Sequence, residues 1–219
     1  MLLHKPLAHD EALRALTDIR AAIDRTTRYS TFSALSGFVA GAAALIGSGG
    51  CGVFATWPGA RPQAGPTFLA VWGVVFVVAA LAVAVFTTLK ARKRQQPVWT
   101  AIARTALLAL LGPGVAGVLG TLALAKIGHF ELLPGWWLLL YGCGMYGVSF
   151  FAPLFLRVLG IAFTILGCAA WLAPEADAAL WLGLGFGVLH LVFGTLVLRM
   201  NRLERQRLTH ATRTDGAKP

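Results

Sequence analysis

The sequence predicts an all-α fold, a polytopic transmembrane helical bundle of six spans with both termini on the cytoplasmic side. Three observations lead there. Hydrophobic residues make up 57% of the 219 and charged residues only 13%, a balance outside the range of soluble globular domains. Thr67 to Leu89 carries no charge and is followed at once by Lys90, Arg92, Lys93 and Arg94. An apolar run of about 20 residues matches the ~30 Å hydrocarbon layer of a bilayer, and the basic cluster after it belongs on the cytoplasmic side. Finally, the net charge of +10 collects in the breaks between apolar runs instead of spreading along the chain. In a soluble protein such a charge would suggest nucleic acid as a partner; placed in this way it is topogenic, and the expected partner is the lipid bilayer, with no nucleic acid.

Three segments follow: a cytoplasmic tail and amphipathic helix (1–30), a six-helix transmembrane domain (31–198) and a basic cytoplasmic tail (199–219). After a loose start, Asp10 is a helix N-cap, and Leu13, Leu16, Ile19 and Ile23 recur at three- and four-residue steps. Arg14/Asp18, Arg20/Asp24 and Asp24/Arg28 are spaced i,i+4 on the opposite face. Mixed-sign charge attracts anionic lipid poorly, so this helix is expected to pack on the bundle's inner end or to dock a cytoplasmic protein. No basic start, short apolar core and cleavage site precede it, so the first span is expected to act as its own insertion signal.

The first span is Thr31 to Gly49, where Ser33, Gly37 and Gly41 form a ridge that lets another helix approach closely. Here Ile19-Arg20, Ile23, Thr26-Thr27-Arg28-Tyr29, Ala34-Leu35-Ser36-Gly37 and Ala40-Gly41 follow one another. The segment resembles the start of an uncharacterised group of bacterial multi-pass membrane proteins that pass from a charged helix into a Leu-Ser-Gly first span. The likeness covers residues 1–50 and implies a bacterial inner-membrane setting, with no activity attached.

Ser48 to Pro66, rich in glycine and proline, is predicted as an outer loop, and Thr67 to Leu89 as the second span. The third, Ala101 to Ile127, is interrupted by Gly112-Pro113-Gly114, where the proline removes a backbone hydrogen bond and is expected to kink the helix. Lys126, His129 and Glu131 form a short outer loop of solvated residues. Gly135 to Ala173 is too long for one span and fits two, Gly135 to Phe151 and Phe155 to Leu172, turning at Pro153 and Arg157, with Trp136 and Trp137 in an outer aromatic belt. The sixth runs from Ala178 to Leu198, and the polar remainder after Arg207 is expected to be disordered. Of the 19 Lys and Arg, this topology leaves only Arg61 and Lys126 outside. Glycine ridges in the odd-numbered spans suggest three helical hairpins packed through glycine faces, which also offer surfaces for an oligomer.

Chemistry is sparse. Cys51, Cys143 and Cys168 form no CxxC, so no zinc or redox motif follows, although a Cys51 to Cys168 bridge near the outer face is compatible with the topology. There is no GxSxG, HExxH or Walker lysine, and the spans hold no carboxylate pair, so no cofactor and no catalytic group are expected. The exception is His190, halfway along the sixth span, because an ionisable residue in the membrane is costly and functional by default. Its candidate partners are Tyr141 and Tyr146, then Ser149 and Thr164. With no second histidine at that depth, bis-histidine haem ligation is excluded. The expectation is a non-enzymatic membrane component that senses, scaffolds or docks a partner. The alternative is a small-solute permease or channel using Gly112-Pro113-Gly114 and His190.

Overall fold

A computed structural model describes residues 13, 16, 34–54, 64–93, 95, 97–150, 154–173 and 178–215. Outside them lie most of the predicted amphipathic helix, including Ile19 and Ile23, as well as Arg61, Arg94, Pro153 and residues 174–177. Leu13 and Leu16, from that helix, are helical and exposed.

The described chain is helical with no strand: α1 (Ala34–Phe54), α2 (Ala64–Lys93), α3 (Ala101–Ile127), a 3-10 turn (Phe130–Leu132), α4 (Leu133–Val148), α5 (Phe155–Leu172), α6 (Ala178–Leu182), a π-helical segment (Gly183–Leu189) and α7 (His190–Asp215). Four stretches are long and apolar enough to cross a bilayer: Gly65–Lys93, Ala103–Ile127, Phe155–Leu172 and Ala178–Met200. The apolar part of α1, Ala34–Gly49, and the 16-residue α4 are shorter. Exposed Val74, Phe76, Val77 and Leu81 on α2, with Leu107, Leu108, Leu111 and Leu119 on α3, form apolar surface of a kind that a protein in water does not display.

Helix limits follow local chemistry. Thr100 accepts from the Ala103 N–H at 3.1 Å and caps α3. Gly128, at φ 82°, closes its other end, where the Gly128 and His129 N–H groups turn back to the Ala125 and Leu124 carbonyls. Two boundaries differ from the expectation and that of the third span does not. The outer loop after the first span is shorter, because α1 continues to Phe54 and α2 begins at Ala64, where a Cβ at Gly65 would meet the Phe130 ring. α3 has the expected bounds, Ala101–Ile127, with Pro113 inside the helix and its ring set against Gly144 of α4. And α7 remains helical to Asp215, where disorder was expected.

The helices form two groups of three. In one, α1 lies between α2 and the α6–π–α7 rod; in the other, α4 lies between α3 and α5. The predicted ridge on α1 is where the last helix approaches: a Cβ at Gly37 or Gly41 would stand 3.2 or 2.9 Å from the His190 or Gly187 carbonyl oxygen. The α4–α5 contact is tighter still. Gly135 and Gly142 on α4 oppose Trp171 and Gly160 on α5, and a Cβ at Gly160 would lie 2.7 Å from the Tyr146 nitrogen. Two of the three predicted hairpins form, α1 with α2 and α3 with α4. The third does not: α5 packs chiefly on α4, and the sixth helix on α1, because the backbone-to-backbone glycine contacts lie there.

Trp136 and Trp137 do not simply face a lipid interface. Their rings fill the space above Gly120 and Gly117 of α3, with Trp137 Nε1 donating to Thr121 Oγ1 at 2.9 Å and Trp136 Nε1 to the Ala116 carbonyl at 3.3 Å. Trp171 of α5 stacks on Trp136 at 6.2 Å between centroids. Cys143 and Cys168 are free thiols, so Cys168 is not bridged to Cys51.

Candidate functional site

The two groups of helices meet at the π segment. Its glycines alternate in the sequence GLGFGVL, and each does steric work. Gly183 and Gly187, four residues apart, receive Ser48 and Leu45 of α1, while Gly185 between them faces the other way onto Leu138 of α4 and Phe163 of α5. The rod is thus wedged from both sides with no room for Cβ atoms. Ser48 Oγ donates to the Ala179 carbonyl and fixes its register against α1. A π turn widens the helix and leaves carbonyls outside the regular ladder, and such segments are frequent at functional sites.

Immediately after it comes His190. Its Nε2 lies 3.0 Å from the Tyr141 hydroxyl across the seam between the two groups. Phe163 meets the imidazole edge-on at 5.5 Å, Phe186 stacks on it at 6.0 Å, and Tyr141 in turn meets Phe163 at 4.7 Å and Phe186 at 5.1 Å. The four rings close around the hydrogen bond. Nδ1 is buried without a hydrogen-bond partner. Either group can be the donor in the Tyr141–His190 contact: the phenol donates to Nε2 when the ring proton sits on Nδ1, and Nε2 donates to the phenol oxygen in the other neutral tautomer.

The other predicted partners lie elsewhere. Tyr146 is 40% exposed and packs with Phe150 and Arg157. Ser149 Oγ donates to the Tyr146 carbonyl, and Thr164 Oγ1 to the Gly160 carbonyl. Gly112 and Gly114 face open space, so the glycine–proline element and the histidine do not share a site. Arg92 and Lys93 are exposed at the end of α2, and Lys90 is partly buried. His129 Nδ1 and Glu131 Oε1 are 2.6 Å apart on the connection between α3 and α4. Among the described residues no group of three or more His, Cys, Asp or Glu comes together to hold a metal.

What the sequence reading missed is the enclosure, Phe163 and Phe186, and the π segment that precedes His190. The signal for the latter was present as glycines at two-residue spacing ahead of the histidine, a pattern that gives an α-helix small residues on opposite faces. Fold and seam together define an all-helical membrane protein whose two halves meet across a histidine–tyrosine pair. Comparison with protein-family models, curated proteins and solved structures finds no match.

Proposed function

We propose that the chain is a non-enzymatic component of the bacterial inner membrane, crossing it six times with both termini cytoplasmic, and that it senses, scaffolds or docks a cytoplasmic partner through its charged inner segments. The observation that carries this reading is the length of α7. Its first residue is His190 at the seam; from Arg199 onward the same helix is charged, with Arg202, Leu203 and Gln206 exposed, and it continues to Asp215. The stretch beyond Arg199 spans about 24 Å at 1.5 Å per residue. One continuous element therefore joins the seam to an arm able to meet a partner. The concentration of Lys and Arg in the segments assigned to the inner side supports the orientation.

Reporter fusions at both termini test the topology, and photocrosslinking from Leu203 in intact cells, with Leu108 as the lipid-facing control, tests the docking arm. Both fusions are expected to report the cytoplasm, and Leu203 alone to give a discrete protein adduct. Deletion of 1–28 or 200–219 is expected to abolish complementation of a null strain while the chain still inserts. A periplasmic signal from either terminus overturns the topology. Flux of small neutral solutes through proteoliposomes that His190→Ala or Pro113→Ala removes would establish a permease instead.

A further inference from the structure

Between Lys126 and Arg199 the chain contains a single cationic side chain of Lys or Arg type, Arg157, in the first turn of α5. Its Nε donates to Ser149 Oγ at 3.4 Å, and the guanidinium lies over the Phe150 ring at 5.2 Å and the Tyr146 ring at 5.9 Å. Among the described residues no carboxylate pairs with it, and Glu175 and Asp177 lie beyond the opposite end of α5 in the sequence. A guanidinium presents five N–H donors in a planar fork suited to phosphate oxygens.

Beside it runs a groove of about 350 Å³ lined by Cys143 and Tyr146 of α4 and by Ile161, Thr164 and Ile165 of α5. Residues 157, 161, 164 and 165 share one helix face, so the arginine stands at the end of the stripe that forms the groove. Tyr146 belongs to both, as groove wall and as the ring beneath the guanidinium. The Thr164 hydroxyl is spent on the Gly160 carbonyl at 2.9 Å, which leaves its methyl group to the lining. From Arg157 to Ile165 the rise is about 12 Å, close to the ~15 Å depth of one leaflet's hydrocarbon.

We propose that this face of the α4–α5 hairpin binds an anionic phospholipid, its phosphate on Arg157 and one acyl chain in the groove. A cation with no carboxylate partner among the described residues, at one end of an apolar channel, fits an amphiphile with an anionic head, and basic positions between membrane helices take such headgroups. The inference requires that α4 and α5 stand in a bilayer and is independent of any cytoplasmic partner.

The test is native mass spectrometry and thermal unfolding of the full chain in mild detergent, with phosphatidylglycerol or phosphatidylcholine added. Phosphatidylglycerol is expected to be retained and to raise Tm more than phosphatidylcholine. Arg157→Gln should weaken phosphatidylglycerol binding about fivefold, with phosphatidylcholine unchanged. Arg157→Lys should retain the preference, and Ile161→Trp, which fills the groove, should weaken both lipids. Equal stabilisation of the wild type by the two lipids overturns the proposal. So does an equal loss with Arg199→Gln, or binding unaffected by Ile161→Trp. If Arg157→Gln does not fold, the headgroup preference of the wild type and the Ile161→Trp result decide the matter.

Discussion

α2 and α3 are built from the same kinds of residue as α5 and the α6–π–α7 rod, yet they occupy opposite positions in the bundle. Of the most apolar stretch of each, 11% and 6% is buried in α2 and α3, against 33% and 39% in α5 and the rod. α2 is the most hydropathic of the four and lies at the periphery. In water this would be inverted, because apolar surface drives itself inward. Where the solvent is lipid, an aliphatic side chain gains little by leaving it, and close packing of small residues decides which helices lie inside. Gly142, Gly160, Gly167 and Gly185 all face backbone or buried side chains, whereas Gly73 on α2 and Gly112 and Gly114 on α3 face nothing.

The sharpest way to break this comparison is to put the same side chain at both kinds of glycine. Gly160→Leu would drive a side chain into the Tyr146 and Gly142 backbone, with contacts that begin at 2.7 Å and no side-chain end to yield. The expected cost is about 3 kcal/mol or more, enough to unfold the α4–α5 pair. Gly112→Leu is expected to change stability by less than about 0.5 kcal/mol. SDS-titrated unfolding in mixed micelles measures both. Similar values for the two would refute the claim that glycine contacts order the bundle.

A smaller effect is expected from truncating a large apolar residue on each side. Phe163 is fully buried and touches the rings of Tyr141, Phe186 and His190, while Leu108 on α3 is 67% exposed. Phe163→Ala is expected to cost about 2–3 kcal/mol, below the 3–5 kcal/mol of a soluble core, because lipid solvates the unfolded helices' apolar groups. Leu108→Ala should be near neutral in the same unfolding assay. A loss with Leu108→Ala that matched Phe163→Ala would mean that α3 is buried in a larger assembly, which sharpens the comparison into one between intramolecular and intermolecular cores.

The same contrast explains what was readable in advance. Span positions were legible because lipid thickness and charge act along the chain: the fifth helix begins at Phe155 and ends at Leu172 as expected, and Gly37 and Gly41 do admit another helix. Helix azimuth was much less legible. In an aqueous core one polar and one apolar face announce the direction of burial, whereas Trp136, Trp137 and the glycines of α3 give the same composition whichever way they turn. Hence the packing of Trp136 and Trp137 into the Gly117 and Gly120 grooves went unread, and a third hairpin was expected where α5 returns to α4. Tyr141 was among the candidates for His190, but nothing local separated it from Tyr146, which lies only five residues farther along α4.

The least costly change is the most informative about the seam. Tyr141→Phe removes one hydroxyl and leaves the ring contacts with Phe163 and Phe186 in place. Interhelical hydrogen bonds in membranes contribute about 0.6 kcal/mol on average, but here His190 would be left with neither nitrogen paired, so the expected loss is about 1 kcal/mol. Replacing both partners tests whether that loss is bond strength or the penalty of an orphaned imidazole. Tyr141→Phe with His190→Phe puts an apolar ring into a cage already made of rings and removes the unpaired Nδ1 as well, so the double variant should unfold at or above the wild-type SDS midpoint. That result would mean that the histidine–tyrosine contact is not the most stable way to fill the seam, and that stability alone does not account for the pair. A double variant as weak as the sum of its singles would mean that the two side chains are not coupled, and would return the burden of function to the charged arm alone.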